Sequence, residues 1–533
     1  MAVDSNLPAS SSSTKLGLGG TTINAMALIA PGAFLWTTFQ LQAQAKTDGG
    51  GNAISTMWFG LLLAVGICFL TAIAYSEMAK LYPGPGSSYL FAEQAFLNHE
   101  ISSRYARISK FVVGLASHLY YWIYPAVMVA MMGNLVGYII GSLTNGKLFD
   151  PASPPLWLVG VTAVIFTLVV AYICYRGVQG STSVNLVINI IQIISLILVS
   201  ILFFVFRLRH PELQWHHATW LSVALPHSTA AVMSQATIAI LLVVGFESVT
   251  SLGDEVHNPK RTIPMAVILS LAIQGLFCYL LEYFAANLVL VEGGSKTLKY
   301  GMTEAAASAA PIGDMLKMIG GDVFGEAAGF ILMIVVAATV FIALVGTTIA
   351  CMNTGSRVTY AMGKDDDSPI PTNLGVLHGK TLTPYMSLMV LTIITCLVGF
   401  YASWFSQCGS AITLTDTSTA AVKAQAAIPN GLLTITYLSN FGTFALYGMT
   451  CFLTLMAYAK RDDRNILKHM IIPFCGAFLN FFLMYKYISM GPEAVVAFKV
   501  AAGFGILGLV YMFVWHGATG VSVLHPGKAK SSS

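Results

Sequence analysis

Residues 183–206 contain no aspartate, glutamate, lysine or arginine, and similar stretches recur along the chain. Inside a bilayer no water satisfies backbone N–H and C=O groups, so each such stretch has to close its own hydrogen bonds. A helix of about 20 apolar residues does this and covers the hydrocarbon core. Twelve stretches have that character: 20–42, 55–79, 110–141, 155–175, 183–206, 233–254, 264–290, 324–352, 386–404, 432–458, 471–490 and 497–517. Membrane-spanning strands would alternate apolar and polar positions over about ten residues, whereas these segments are apolar nearly all round. Of 533 residues, 56% are hydrophobic and 9% charged, against about 25% charged in a soluble globular chain. The expected fold class is an all-α integral membrane protein with twelve transmembrane helices and the lipid bilayer as its surroundings.

An even number of crossings puts both termini on one side. The loops of that side carry most of the 27 basic residues, among them Arg104, Arg107, Lys260, Arg261, Arg357, Lys460 and Arg464. The positive-inside rule therefore places both termini in the cytoplasm, with the chain multi-pass in a cell membrane, plasma or inner. A net charge of +4 gives no argument for nucleic acid. The eight cysteines show no metal or redox spacing and read as small apolar residues. Ser10 to Ser13 belong to a low-complexity tail, and no basic stretch precedes a short apolar one there, so a cleaved signal peptide is not expected.

Two helices have weak points in matching places. The first contains Ile29-Ala30-Pro31-Gly32-Ala33-Phe34, where proline removes an amide donor and glycine loosens the backbone. The sixth contains Val244-Gly245-Phe246-Glu247, with a carboxylate at membrane depth. A charge there costs at least ~2.5 kcal/mol and marks a functional position by default. Breaks in helices one and six are what a five-plus-five inverted repeat generates, with a ligand held between them near the midplane. The chain then divides into a tail (1–15), a first repeat of helices 1–5 (16–210), a second of helices 6–10 (211–460), helices 11 and 12 (461–517) and a second tail (518–533).

Several segments carry a family resemblance. Gly245-Phe246-Glu247, followed by Glu255-Val256-His257-Asn258-Pro259-Lys260-Arg261-Thr262-Ile263-Pro264, resembles the sixth-helix signature of the amino acid–polyamine–organocation (APC) superfamily. Tyr82-Pro83-Gly84-Pro85-Gly86-Ser87-Ser88-Tyr89 resembles its loop after helix two, and Tyr175-Arg176-Gly177-Val178-Gln179 its helix 4–5 loop. Ser356-Arg357-Val358-Thr359-Tyr360-Ala361-Met362 resembles the end of helix eight. Departures exist: many members have Gly-Ser-Gly-Ile-Phe at the first break, where Ala30-Pro31-Gly32-Ala33-Phe34 stands here. In arginine–agmatine exchangers an aromatic gate lies six residues before the sixth-helix acid, and this chain has Leu241 there. The resemblance implies a secondary active transporter working by alternating access, an amino acid permease whose substrate is a neutral amino acid, as proton symporter or exchanger. A polyamine, other organocation or nucleobase carrier on the same fold, and a non-transporting membrane sensor, are the alternatives.

In that family the ligand's carboxylate meets amides at the first break, here Ala30, Pro31, Gly32 and Ala33, and its ammonium meets carbonyls near the sixth, here Val244 and Gly245. The positive end of the half-helix after Pro31-Gly32 suits an anion. Phe246 is a candidate lid or wall. Thr348 and its neighbour Thr347 are candidate pocket groups, unless they bond their own helix backbone. Glu247 is either a protonatable group coupled to substrate and gate or a structural acceptor that pins the break. Glu282, with Tyr283 as a partner, and His118, ahead of Tyr120, Tyr121 and Trp122, are secondary coupling candidates. Glu77 is expected to snorkel or bond loop amides, and Lys486 to snorkel at the interface. His210, His216, His217 and His227 with Trp215 and Trp220 read as an interfacial loop, and Asp365-Asp366-Asp367 as a solvated run.

No His-Glu-x-x-His, Gly-x-Ser-x-Gly or phosphate-binding glycine loop is present, so neither an enzyme nor an ATP-driven pump is expected. No cofactor and no bound metal are expected. Some family members place a lysine in helix five where relatives bind sodium; residues 183–206 have none. Sodium, proton or plain exchange all stay open.

Overall fold

A computed structural model describes residues 15–29, 38–43, 54–84, 86–97, 105–151, 153–213, 228–253, 255–288, 300–308, 310–379, 383–406 and 427–519, with a few single positions between them. Among these, eleven helices are long and apolar enough to cross a membrane. They are Thr56–Leu81 (span 2), Ala106–Leu143 (span 3), Leu156–Tyr175 (span 4), Val184–Arg209 (span 5), Thr229–Leu252 (span 6) and Pro259–Leu288 (span 7). Glu326–Gly363 (span 8), Tyr385–Trp404 (span 9), Gly431–Tyr458 (span 10), Leu467–Met490 (span 11) and Pro492–Thr519 (span 12) complete the set. Of the expected first helix the structure describes Leu18–Ile29, a short apolar helix, and a helical piece at 38–43; the break expected at Ala30 to Phe34 lies outside the described residues. We call these two parts span 1.

Span 8 runs well past its expected end at residue 352. Its 38 residues extend ~57 Å at about 1.5 Å each, nearly twice the bilayer core. The polar stretch after Cys351 stays helical because Thr354, Gly355, Val358, Thr359 and Met362 are buried against neighbouring spans. Hydropathy alone cannot see that packing.

Spans 1, 2, 6 and 7 form one packed group, and spans 3, 4, 8 and 9 another. Each group contains helices five apart in the chain, as an inverted repeat requires. Span 5 lies against spans 1, 7 and 8, and span 10 packs on spans 2, 3, 11 and 12.

The end of the bundle that carries the basic loops is laced by ion pairs. The Lys110 ammonium, almost fully buried, lies 2.9 Å from Glu93 and 2.6 Å from Asp365. Arg107 lies 2.8 Å from Asp367, and the Tyr89 hydroxyl donates to Asp365 at 2.6 Å. Asp365 and Asp367 are thus not a freely solvated run. Partial burial would raise the Asp365 carboxyl, but the Lys110 charge and the donors from Lys110, Tyr89 and the Asp367 N–H hold it below its ordinary value. Across the two helix groups, Arg357 of span 8 pairs with Glu255 at 2.6 Å. Leu16 bridges the same strip in parallel, its N–H to the Glu255 carbonyl and its carbonyl from the His257 N–H.

Two other expectations change. Glu77 bonds no loop amide; it pairs with Lys80 at 2.6 Å and lies 3.2 Å from His469, whose ring stacks on Tyr458. At the opposite end, His210 sits between Glu212 (2.8 Å) and Asp322 (2.7 Å). Burial pulls its pKa down, yet the hydrogen bonds to the two carboxylates outweigh that and raise it. Trp215, His216, His217, Trp220 and His227 lie outside the described residues. Lys486 carries its ammonium 5.8 Å above the Phe482 ring.

Lys110→Met should strip the cation from Glu93 and Asp365. Breaking a buried ion pair costs ~3–5 kcal/mol; the value here should fall at the lower end, since the carboxylates keep some water contact. A lowered melting temperature in detergent is the expected reading, and an unchanged one would remove the network from the stability of the fold. Because the Asp365 value is depressed, its contribution is present above the ordinary aspartate value of about 3.9 and is lost as pH falls through the folded one.

Candidate functional site

Span 6 is α-helical only through Ala239. A 3-10 turn follows at Ile240–Leu242, then a turn at 243–245, then a 3-10 helix at Phe246–Leu252. The break therefore falls at Val243, Val244 and Gly245, inside the expected window. β-Branched valines and glycine are poor helix formers, but the neighbouring chain explains why glycine is required. Gly245 has φ +117, and a Cβ there would sit 2.8 Å from the Leu28 Cγ and 2.9 Å from the Leu28 carbonyl carbon. The break in span 6 is thus pressed against the last turn of Leu18–Ile29.

That last turn has carbonyls without full intrahelical partners. Side chains from two spans meet them: Gln274 Nε2 donates to the Met26 carbonyl at 3.3 Å, and Thr347 Oγ1 to the Ala27 carbonyl at 3.1 Å. Asn189 Nδ2 donates to the Ile23 carbonyl at 3.2 Å, and its Oδ1 accepts from Gln274 at 3.0 Å. Asn185 reaches Asn24 at 3.3 Å. The sequence reading passed over Asn185, Asn189 and Gln274. Their signal was available, since Asn185 and Asn189 are four apart on one face of an otherwise apolar helix.

Glu247 is fully buried and both of its oxygens are met by donors. Tyr121 Oη donates to Oε1 at 2.9 Å; Tyr447 Oη and the Gly245 N–H donate to Oε2 at 2.5 and 3.1 Å. Tyr121 stands where span 3 is interrupted between Ala106–Tyr121 and Tyr124–Leu143; Pro125 follows, without an N–H to donate. One carboxylate therefore joins the break of span 6 to spans 3 and 10. Phe246 packs between Tyr75 and Tyr447, at 6.2 and 5.3 Å between ring centres. Tyr75 takes a hydrogen bond from Ser88 at 2.8 Å. Ser87, in the glycine-rich loop after span 2, bonds Thr250 at 2.6 Å. Beside it Gly253 lies so close to Gly84 that a Cβ would meet the Gly84 nitrogen at 2.5 Å.

The other candidates are placed as follows. Ala30, Pro31, Gly32 and Ala33 lie outside the described residues. Val244 and Leu241 are buried at the break. The Thr348 hydroxyl proton goes to the Leu344 carbonyl of its own helix at 2.7 Å, whereas Thr347 is shared between Ala343 and span 1. His118 stacks on Trp122 at 4.1 Å, and its Nε2 lies 3.2 Å from Thr359 Oγ1, away from Glu247 and Gly245. Glu282 is partnered by Gln42 at 2.7 Å. Tyr283, its expected partner, instead packs edge-on against Trp58.

A family model described as amino acid permease matches residues 20–517. The chain belongs to that family. It is a multi-pass membrane permease of amino-acid or polyamine type, not an enzyme. It is 26% identical to the branched-chain amino acid permease BcaP of Lactococcus lactis, over 70% of this chain and 74% of that one. The Bacillus subtilis branched-chain amino acid permease BcaP is 22% identical over 94% and 91%. The low-affinity putrescine importer PlaP of Escherichia coli is 23% identical over 83% and 82%. The fold is that of MhsT, solved in complex with L-phenylalanine, with a TM-score of 0.56, 15% identity, and coverage of 89% of this chain and 98% of that one.

Gly245→Ala in this permease should cost about 1–3 kcal/mol for the left-handed backbone alone and more through the clash with Leu28. Gly275→Ala is the control, since its Cβ would meet Val65 at 3.6 Å, an ordinary contact. Melting temperatures of the two variants in detergent should diverge; equal values would refute the close approach. For the carboxylate, Glu247→Gln, Tyr447→Phe and the double variant should be non-additive by ~0.5–3 kcal/mol, as partners in one hydrogen bond are. Additive losses would mean that this bond does not hold the break.

Proposed function

We propose that this permease carries a neutral, apolar amino acid of small or medium size across the cell membrane by alternating access, with the basic end of the bundle and both termini in the cytoplasm. The observation that carries this reading is the engaged carboxylate at the break. Tyr121, Tyr447 and Gly245 take three of the roughly four acceptor sites of Glu247, so the acid at the break is already engaged by the protein's own donors and is poorly placed to hold a second cationic group. A diamine needs two anionic partners, whereas a zwitterion can be read by backbone groups at the two breaks, its carboxylate at 30–33 and its ammonium at Val244 and Gly245. Phe246 between Tyr75 and Tyr447 offers an aromatic wall suited to an apolar side chain. Two of the relatives are branched-chain amino acid permeases and one is a putrescine importer, so substrate class is what has to be decided. Thr348 accepts rather than donates toward a ligand, because its proton is committed to its own helix. Glu247 serves as the gate's pin.

Counterflow in proteoliposomes decides between the readings. Labelled leucine, valine or phenylalanine should exchange, with putrescine and nucleobases failing to compete at a hundredfold excess. Exchange of putrescine alone would overturn the proposal. Binding of a neutral amino acid without any flux would make the protein a sensor.

A further inference from the structure

Glu282 of span 7 is the second wholly buried carboxylate among the described residues of the bundle's interior. Its surroundings differ from those of Glu247. One oxygen accepts from Gln42 Nε2 at 2.7 Å, and the other, Oε2, is buried without any partner. Gln42 lies at 38–43, the second described part of span 1. The Gln42 backbone carbonyl in turn accepts from Gln235 Nε2 at 2.9 Å, and Gln235 lies in Thr229–Ala239, the part of span 6 before its break. A short hydrogen-bonded chain therefore links span 7 to the 38–43 part of span 1 and to the part of span 6 before its break.

That chain is rich in acceptors and poor in donors. Besides Glu282 Oε2, the side-chain oxygens Gln42 Oε1 and Gln235 Oε1 are buried and unpartnered. No lysine, arginine or histidine among the described residues forms an ion pair with Glu282. The titratable groups around it are Cys278, Tyr279 and Tyr283 of its own span. Span 2 presents Trp58 to Tyr283. Span 5 presents Arg207, whose guanidinium is held by the Asn287 carbonyl at 3.0 Å and side-chain oxygen at 3.1 Å. Among the described residues, spans 1 and 6 present the two glutamines. An ionised carboxylate with one neutral donor and no counter-ion is an uncompensated buried charge, which proteins neutralise rather than tolerate. A proton on Oε2 removes that charge and supplies a donor.

We propose that Glu282 is the proton-binding site of this permease, occupied when the 38–43 part of span 1 and the part of span 6 before its break are closed over span 7 and vacated when they separate. Opening withdraws Gln42 and admits water, which stabilises the ionised carboxylate. Proton binding thus has a different affinity in the two states, and that difference is what couples pH to the gate. The step is a proton moving on and off one carboxyl oxygen, with no other bond made or broken. The proposal rests on the carrier reading above for its consequence in transport, but not for the binding of the proton.

Two measurements separate the two. The first needs no substrate: melting temperature of the purified full chain in detergent, from about pH 5 to about pH 8, for wild type and Glu282→Gln. The wild-type melting temperature should fall relative to the variant as pH rises; parallel curves would overturn the proposal. The second is uptake of labelled leucine into proteoliposomes at fixed membrane potential. Uptake driven by a pH gradient should drop at least tenfold in Glu282→Gln, with exchange at equal pH reduced less than fivefold. A variant that keeps the wild-type response to the gradient would overturn it. Should Glu282→Gln fail to fold, Gln42→Met removes the one donor and should move the midpoint of the wild-type pH profile by at least half a unit; an unmoved midpoint would overturn the proposal. Wild-type protein that moves no leucine yet shows the pH-dependent melting difference would refute the substrate reading and leave the proton site standing.

Discussion

The helix of span 6 is interrupted at buried residues inside the bundle, and its backbone groups have to be satisfied by something other than its own helix. That requirement organises the centre of the molecule. The last turn of Leu18–Ile29 is met by Gln274 and Thr347, and the Gly245 N–H by Glu247, which is itself held by Tyr121 and Tyr447. These partners come from spans 7, 8, 3 and 10, so the arrangement exists only in the assembled bundle. The same contacts cross between the two helix groups, from span 8 to span 1 and from span 6 to span 3. A change in the relative position of the groups has to break them, which makes the satisfaction of the break and the gating of the permease one physical problem.

The two buried carboxylates show how surroundings assign roles. Glu247 and Glu282 are equally withdrawn from solvent. Three donors converge on Glu247, which ties the break of span 6 to spans 3 and 10. Glu282 has one donor and an empty second oxygen, a setting that favours gaining a proton over acting as an anchor. A pin and a proton carrier can therefore be the same residue type in one protein, separated only by the count of hydrogen bonds each receives.

At the basic end, charge does what amides do in the interior. Lys110, Arg107 and Arg357 face carboxylates supplied by loops rather than by spans. Arg357 and Glu255 join the two helix groups at the surface, where the pair is partly exposed and contributes little to stability. Such a contact can be made and lost during a conformational cycle without a large penalty, in contrast to the desolvated contacts of Lys110.

The sequence by itself determined the helical class, the positions of eleven spans and the place of the break near Gly245. Those follow from local rules: backbone groups in lipid must pair within the segment, and proline or glycine in an apolar run interrupts that pairing. It also singled out Glu247, because a charge at membrane depth is conspicuous in a string of letters. Only the tertiary structure decided what that charge does, since its partners Tyr121 and Tyr447 lie 126 and 200 residues away. Asn185 and Asn189, four apart in an apolar helix, mark a polar face in the sequence, but what that face meets, and what Gln274 and Gln42 meet, is set only when a neighbour's carbonyl or carboxylate is placed against them. Asp365 was read as solvated for the same reason, with Lys110 lying 255 positions distant in the chain. Hydrophobic period is a property of one segment and is written in it; polar pairing is a property of two, and only packing brings them together.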